Sequence, residues 1–170
     1  PVIAEEGHNV VLKQVAELPE VNSSEGYVLT VTPDQVLIRA TSGAGLFYGV
    51  QTMLQMVDEK GLPVGVITDE PRFAYRGFMM DVSRHFFDKE FIKKQMDALA
   101  YYKLNRLHLH LTDAAGWRLE IKKYPRLTEF AAWREFPTWK EWWNNGRRYE
   151  EEGSKDAHGG YYTQDDIREL

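Results

Sequence analysis

The first third of the chain alternates short apolar runs with turn-forming residues. Tyr27 to Val31 and Val36 to Ala40 are rich in β-branched and aromatic residues, and the Thr-Pro-Asp sequence at 32–34 favours a turn between them. This pattern predicts a β-hairpin, and Val10 to Val15 predicts a further strand. From Leu46 to Met56 the apolar positions follow the helical period, which predicts a helix with one buried face. The region is therefore predicted to be small and α+β.

A change of pattern near Glu70 predicts a boundary between two domains. A short apolar run from Val64 to Ile67 leads into the sequence TDEPRF. Pro71 interrupts regular structure there and biases Glu70 to an extended conformation. We therefore expect residues 1–70 to belong to one domain and residues 71–170 to another.

The segment from Gly77 to Leu111 predicts a strand, a helix and a second strand. Gly77 to Val82 is largely apolar, and Leu107 to Leu111 alternates leucine with histidine. Between these strands, Asp88 is placed to cap a helix that Asn105 ends. The helix is predicted from five apolar positions at helical spacing, which are Phe91, Ile92, Met96, Leu99 and Ala100. The order predicts a βαβ unit.

Polar side chains follow both of these predicted strands. The carboxyl ends of parallel strands meet on one rim, where barrel and doubly wound enzymes place their chemistry. We therefore expect these side chains to converge and to bind a polar ligand. They are Asp81, Ser83, Arg84 and His85 after the first strand, and His110, Thr112 and Asp113 after the second.

Residues 112–162 form a long connection rich in Trp, Tyr and Gly, too long to be a plain linker. Such loops at the end of a strand typically shape a pocket. Trp117 and Arg118 at its start are candidates for lining that pocket. The remaining tryptophans are expected to form the core of the loop, and they are Trp133, Trp139, Trp142 and Trp143. After the connection, Thr163 and Asp166 have the capping-box spacing that predicts the start of a helix.

Composition and charge narrow the classes of function. The formal net charge is −5, which gives no basic footprint for nucleic acid. Charged residues interrupt every apolar run well before the roughly 20 residues that a membrane helix needs, so we expect no membrane insertion. The sequence contains no cysteine, which excludes a disulfide framework, a thiol nucleophile and thiolate metal sites. The cellular location is left open.

Four separated motifs occur in a recognisable order. They are GLFYGVQTMLQ, then DEPRFAYRGFMMDVSRHFF, then YYKLNRLHLHLTD with GWRLEIKKYP, and finally GGYYTQDDI. In this order, from about Glu25 to the C-terminus, they closely resemble the β-N-acetylhexosaminidases of glycoside hydrolase family 20. The resemblance implies an α/β fold, in which the start of a (β/α)8 TIM barrel is preceded by part of a small α+β domain. Residues 1–70 would be the later part of the small domain, and residues 71–170 the first two β/α units of the barrel.

The resemblance also implies the chemistry, which is removal of a terminal β-linked N-acetylglucosamine or N-acetylgalactosamine from a glycan. Family members retain the anomeric configuration by a substrate-assisted mechanism, in which the 2-acetamido oxygen of the substrate attacks the anomeric carbon. A Glu is the general acid, and a neighbouring Asp orients the acetamido group. This Asp-Glu pair follows the fourth barrel strand. We therefore expect it beyond Leu170, expect no catalytic residue and no activity in the 170-residue stretch alone, and expect no cofactor.

Arg84 and Asp113 are the candidates for binding the substrate. A guanidinium is a planar fork of donors that suits two adjacent sugar hydroxyls, and the Arg of the family's D-x-S-R-H pattern holds the 3- and 4-hydroxyls of the terminal sugar. The alternative role of Arg84 is a structural ion pair with Asp81. The resemblance implies that Asp113 hydrogen-bonds catalytic groups, and its charge would raise the proton affinity of a nearby Glu. Many relatives carry another polar or acidic residue where this chain has Ala114 and Ala115.

His108 and His110 share one face of the second predicted strand. An H-x-H pair also begins the zinc site of some metal-dependent hydrolase barrels, although those sites need further ligands from later strands. We predict no metal here and consider His110 and Trp117 as candidates for lining the pocket. Two alternatives stay open, a non-catalytic sugar-binding module and a metal-dependent amidohydrolase-like barrel. The sequence beyond Leu170 separates them, through the presence of an Asp-Glu pair, its absence, or additional His ligands.

Overall fold

The computed structural model describes residues 9–170, which form a mixed α/β structure. The chain divides into two units. One contains the residues up to Arg76 together with Ala100–Lys103, and the other contains Gly77–Leu99 together with Leu104–Leu170. The domain boundary that the sequence predicts near Glu70 stays a prediction. Among the described residues, no helix is long and apolar enough to cross a membrane.

The first unit contains a four-stranded sheet with the strand order β1-β3-β2-β4. Its strands are β1 (Asn9–Gln14), β2 (Tyr27–Val31), β3 (Gln35–Ala40) and β4 (Gly65–Asp69). The predicted hairpin is confirmed, because β2 and β3 pair antiparallel. The predicted third strand is also confirmed, and it pairs parallel to β3. The apolar run before Glu70 forms β4, whose pairing with β2 the local pattern did not predict.

Helix α1 (Gly43–Met56) packs on one face of this sheet. It begins at Gly43 rather than at the predicted Leu46, because the hydroxyl of Ser42 accepts the N–H of Gly45 at 3.2 Å and caps the helix. A β-carbon at Gly49 would lie 2.5 Å from Cγ2 of Ile38, so the helix approaches the sheet too closely for any larger residue there. The core between them contains Tyr27, Leu29, Val31, Ile38, Ala40 and Tyr48.

The second unit begins with the predicted βαβ unit, which is confirmed. Strands β5 (Gly77–Asp81) and β6 (Arg106–His110) pair in parallel and are connected through α2 (Lys89–Tyr101). Asp88 caps the helix, since its Oδ1 accepts the N–H of Phe91 at 2.7 Å. One face of the strand pair joins a core of buried residues, which are Met80, Val82, Ile92 and Tyr162.

The long connection is more regular than the sequence indicated. It contains two antiparallel pairs of very short strands and two short helices. In order, these are β7 (Thr112–Asp113), β8 (Gly116–Trp117), α3 (Arg126–Glu129), β9 (Trp133–Arg134), α4 (Trp139–Asn144) and β10 (His158–Gly159). Strand β7 pairs with β8, and β9 pairs with β10. The connection is therefore a folded subdomain of the second unit.

The tryptophans of α4 divide between the interior and the surface. Trp142 is 1% exposed and donates its indole N–H to the carbonyl of Arg148 at 2.8 Å, as a core residue should. The prediction was wrong for Trp139 and Trp143, which are 41% and 43% exposed. These two are separated by one helical turn and contact each other on the outer face, with tilted rings whose centroids are 5.4 Å apart, because a short helix can turn only one face inward.

The guanidinium of Arg118 lies in the interior of the second unit and is 1% exposed. Nε donates to the carbonyl of Val82 at 3.0 Å, and Nη2 donates to that of Ser83 at 2.8 Å. Nη1 donates to the carbonyl of Gly160 at 3.0 Å and to that of Ala132. One side chain therefore joins the segment after β5 to the residues beside β9 and β10.

The charge of Arg118 is stabilised by carbonyl dipoles, because all of these hydrogen-bond acceptors belong to the main chain. Burial, and then the nearby Arg134, lower the pKa of Arg118 to about 10, so that the group stays charged at neutral pH. The guanidinium of Arg118 is closely packed against the backbone of Gly116. A β-carbon at Gly116 would lie 2.2 Å from the guanidinium carbon.

The last described helix, α5 (Gln164–Glu169), begins with the predicted capping box, which is confirmed. Asp166 accepts the N–H of Thr163 at 2.9 Å, and its own N–H donates to the Thr163 hydroxyl at 3.0 Å. The ammonium of Lys89 lies 2.8 Å from the same carboxylate. These contacts lower the pKa of Asp166 to about 2, with the Lys89 hydrogen bond as the largest cause.

Arg118→Lys is expected to destabilise the second unit. A lysine keeps the charge but cannot reach the same set of carbonyls, and we expect a loss of about 2 to 4 kcal/mol in the free energy of unfolding. Denaturant unfolding and Tm measure this loss. Arg126→Lys is the matched control, because Arg126 forms an exposed pair with Glu151 and its replacement should leave Tm nearly unchanged. Equal Tm values for the two variants would contradict the structural role of Arg118.

Candidate active site

The ends of β5 and β6 bring the predicted polar residues together. Asp81 and His110 are register partners at the last positions of the two strands, and Met79 pairs with His108 two residues earlier. Because alternate residues of a strand point to opposite faces, these four side chains share the face opposite Met80. The polar groups therefore occupy one face at one end of the strand pair.

Asp81 shapes the turn that follows β5. Its Oδ1 accepts the backbone N–H groups of Ser83 and Arg84, each at 3.0 Å, so the carboxylate folds the chain back on itself. Ser83 is fully buried, and its hydroxyl donates to the carbonyl of Gly116 at 2.7 Å. The turn is thus fixed from both sides, and Arg84 projects from it.

The guanidinium of Arg84 lies between two carboxylates and an imidazole. Nη1 is 2.8 Å from Oδ2 of Asp81, and Nη2 is 2.7 Å from Oδ2 of Asp113. Nη1 is also 2.9 Å from Nε2 of His110. The side chain is 42% exposed, so solvent or a ligand can reach it. Of the candidates named from the sequence, Arg84, His110 and Asp113 are brought into direct contact.

Arg84 keeps hydrogen-bonding capacity for a ligand. A guanidinium has five N–H donors, and within residues 9–170 its contacts to Asp81, His110 and Asp113 use Nη1 and Nη2 only. Nε–H and one Nη2–H are left over. Two donors of one planar group suit two neighbouring oxygens of a bound molecule.

Nε2 of His110 can satisfy only one of its two neighbours at a time. It lies 2.9 Å from Nη1 of Arg84, which can only donate, and 3.1 Å from Oδ2 of Asp113. A bare Nε2 accepts from Arg84, whereas a protonated Nε2 donates to Asp113. The two contacts therefore require different protonation at this nitrogen, and moving Arg84 toward a ligand would favour the bond to Asp113.

Asp113 contacts the backbone of Ala114 as well as the side chains of Arg84 and His110. Its Oδ1 accepts the N–H of Ala114 at 2.6 Å. This bond, together with His110 and the positive charge of Arg84, lowers the pKa of the Asp113 carboxyl. Asp113 is therefore ionised near neutral pH, and it supplies a fixed negative charge beside the exposed guanidinium.

The other residues singled out in the sequence have different environments. Trp117 lies on β8, and its indole N–H donates to the carbonyl of Leu119 at 2.6 Å. Its assignment to the pocket stays a prediction. Arg118 is buried and engaged with main-chain carbonyls, so its fork does not face a ligand. His85 packs against Phe87 with a centroid separation of 4.7 Å.

Tyr149 is the residue near the site that sequence reasoning missed. Its hydroxyl donates to the carbonyl of Ala114, next to Asp113. The sequence places Tyr149 in the charged run RRYEEE, which carries no local signal for a contact with a strand end.

The described part of the chain contains no cluster of three or more His, Cys, Asp or Glu side chains placed to hold a metal ion. His110 and Asp113 are in contact. His108 lies two residues earlier on the same strand, is exposed, and belongs to no such cluster. The prediction that no metal takes part stays a prediction for the whole protein.

Two sequence-family models match the chain. The model described as glycosyl hydrolase family 20, catalytic domain, matches residues 73–170, and the one described as glycosyl hydrolase family 20, domain 2, matches residues 3–70. The match to the catalytic-domain model covers more than half of the sequence. The chain belongs to glycoside hydrolase family 20.

Individual relatives agree with this assignment. The beta-hexosaminidase of Porphyromonas gingivalis is 43% identical over 157 residues, which cover 86% of this chain and 18% of that protein. The N,N'-diacetylchitobiase of Vibrio harveyi is 47% identical over 122 residues, covering 70% of this chain and 14% of that protein. This chain thus spans less than a third of either relative.

A solved structure gives the same result for the fold. The Vibrio harveyi exo β-N-acetylglucosaminidase of this family, determined in complex with N-acetylglucosamine, superposes with a TM-score of 0.74 at 37% identity. The superposition covers 94% of this chain and 24% of that one. The fold of the described residues is therefore that of the corresponding part of a family 20 enzyme.

The carboxyl group of Asp113 is expected to titrate below its usual pKa of about 3.9. Because the folded-state value is the lower one, the contacts of Asp113 stabilise the fold above about pH 4, and this contribution is lost as the pH falls through the lowered pKa. Carboxyl ¹³C NMR measures the midpoint, with Asp113→Asn to assign the signal. Arg84→Gln should move the midpoint upward without restoring it fully, since the Ala114 bond is retained. A wild-type midpoint at or above about 3.9 would contradict this view of the site.

Proposed function

We propose that the full-length protein is an exo-acting glycoside hydrolase that removes terminal β-linked N-acetylglucosamine or N-acetylgalactosamine from glycans. The observation that carries the proposal is the exposed Arg84 fork at the ends of two parallel strands, in a chain that belongs to family 20. Names of the relatives, beta-hexosaminidase and N,N'-diacetylchitobiase, support the same substrate class.

In the proposed mechanism, the anomeric configuration is retained and the substrate supplies its own nucleophile. The 2-acetamido oxygen attacks the anomeric carbon, a Glu protonates the leaving oxygen, and an Asp orients the acetamido group. That Asp-Glu pair is assigned to sequence beyond Leu170. The polar residues at the ends of β5 and β6 have a different role. They bind the terminal sugar so that its anomeric carbon and 2-acetamido group lie beside the Asp-Glu pair.

Residues 71–170 are proposed to be the first two β/α units of a (β/α)8 barrel, and residues 1–70 the later part of the preceding small domain. The parallel pairing of β5 and β6 through α2 supports this proposal. So does the division of the strand faces, since one face packs on apolar residues and the other carries Asp81 and His110 at its end. In a barrel, the latter face would point inward, with the polar residues at the catalytic end.

Arg84 is proposed to bind two adjacent hydroxyls of the terminal sugar through its two remaining donors. Asp81 and Asp113 hold the other side of the fork, at 2.8 and 2.7 Å, so the guanidinium plane is oriented before the substrate arrives. The ion pair with Asp81, considered from the sequence as an alternative role, therefore accompanies substrate binding instead of competing with it. Asp113 also adds negative charge that would raise the proton affinity of a Glu placed nearby. His110 and Trp117 are proposed to line the same pocket.

Replacing Arg84 tests the proposal directly. In the full-length protein, Arg84→Lys should lower kcat/KM on a chromogenic N-acetylglucosaminide by about 10-fold to 150-fold, because a lysine keeps the charge but loses the paired geometry. Arg84→Ala should lose more. Tm should barely move, because the ion pairs of Arg84 are partly exposed.

Arg106→Lys provides the matched control, because Arg106 begins β6 at the end of the strand opposite His110. This control should keep wild-type kinetics. A large fall in Tm for Arg84→Lys with normal kcat/KM would instead make Arg84 a scaffold residue and remove the observation that carries the proposal.

Chelation separates the proposed hydrolase from a metal-dependent barrel. A catalytic zinc normally needs three well-placed protein ligands and a water, whereas among residues 9–170 only His110 and Asp113 come together as candidate ligands at this site. We expect the full-length protein to keep its kcat/KM after dialysis against a chelator, and His108→Ala to keep it as well. A stoichiometric metal whose removal abolishes activity would favour the amidohydrolase-like alternative. A full-length protein that binds N-acetylglucosamine without turnover would favour the sugar-binding module.

A further inference from the structure

Tyr149 connects the long connection to the strand end that carries Asp113. Its hydroxyl donates to the carbonyl of Ala114, the residue that directly follows β7. The two donors proposed to bind the sugar belong to Arg84, so their role does not by itself account for this contact. It is a long-range contact, since the two residues are 35 positions apart in the sequence.

The Ala114 residue is held on both sides. Its N–H donates to Oδ1 of Asp113 at 2.6 Å, and its carbonyl accepts from Tyr149. Rotation of the chain at Ala114 would break one bond or the other. Since Oδ2 of the same carboxylate is 2.7 Å from Nη2 of Arg84, the orientation of Ala114 affects where the guanidinium is held.

The ring of Tyr149 is itself fixed by the core of the connection. It packs against Phe130 and against Trp142, with centroid separations of 5.6 Å in both cases. The main chain of Tyr149 forms a bridge with Arg134 of β9. Trp142 is buried, and Phe130 and Tyr149 are half-buried, so the ring is supported from the interior side.

The hydroxyl of Tyr149 is protonated at neutral pH and can therefore donate a hydrogen bond. Burial, and then the negative charge of Asp113, raise its pKa. The group therefore stays protonated throughout the neutral range, where it donates to the Ala114 carbonyl.

We propose that Tyr149 is a positioning residue for the substrate site, which orients the Arg84 fork by fixing Ala114 and, through it, the carboxylate of Asp113. The inference rests on the proposed function of Arg84. It assigns the folded connection an indirect part in binding the terminal sugar, through the orientation of Arg84. A rigid fork loses less freedom when the sugar hydroxyls bind, so the gain appears as affinity for the substrate and its transition state.

A double-mutant cycle in the full-length protein tests this inference. Tyr149→Phe removes one hydroxyl and should lower kcat/KM by about 2-fold to 10-fold. In an Arg84→Lys background there is no fork to orient, so the same substitution should cause little further loss. This non-additivity is the signature of a residue that acts through Arg84, and a purely structural residue would not produce it.

Tyr162→Phe is the matched control. Its hydroxyl donates to a main-chain carbonyl as well, that of Phe87 at 2.6 Å, and Tyr162 belongs to the buried core of the second unit. This variant should lower Tm and leave kcat/KM unchanged in both backgrounds.

Three outcomes of these measurements would overturn the inference. A loss for Tyr149→Phe that is equally large in both backgrounds would overturn the inference and leave Tyr149 a structural residue. Normal kinetics for Tyr149→Phe beside an impaired Arg84→Lys would overturn it while the proposed function stands. Normal kinetics for Arg84→Lys would remove the substrate-binding role proposed for Arg84, and this inference with it, while the hydrolase activity itself would stand.

Discussion

The structure of the second unit depends on one buried guanidinium. Arg118 hydrogen-bonds the carbonyls of Val82 and Ser83 after β5, and those of Ala132 and Gly160 beside the β9–β10 pair. A single donor group thereby fixes the segment from which Arg84 projects and closes the connection behind it. The same group supplies a hydrogen bond to each of these four main-chain carbonyls.

A series of hydrogen bonds connects the buried Arg118 to the exposed Arg84. Ser83 is held from one side by Arg118 and from the other by its own bond to Gly116, while Asp81 closes the turn in between. Asp113 follows the neighbouring strand, and its carboxylate forms an ion pair with Arg84, which projects from this turn. The exposed fork is therefore supported by the buried polar groups of Ser83 and Arg118 behind it.

The sequence was sufficient for the parts that depend on local pattern. Alternation and helical period identified the hairpin, α1 and the βαβ unit, and the rule for parallel strand ends brought Arg84, His110 and Asp113 together. It was insufficient for the connection, whose order comes from contacts between distant residues. Nothing near Arg118 in the sequence indicates four carbonyls as its partners, and nothing near Tyr149 indicates Ala114. The residues of α4 show the same limit, because only the tertiary packing decides that Trp142 is inside and Trp139 is outside.

The distribution of tryptophan in this chain has a spectroscopic consequence. All five indoles lie between Trp117 and Trp143, and none occurs before Gly77. Within this chain, fluorescence excited near the red edge of the protein band, where tyrosine does not absorb, therefore reports on the second unit alone. Trp142 would emit from an apolar interior, whereas Trp143, with the guanidinium of Arg147 3.7 Å from its ring centroid, would emit from a solvated and charged environment. The chain thus contains its own optical probe of whether the connection that supports the Arg84 site is folded.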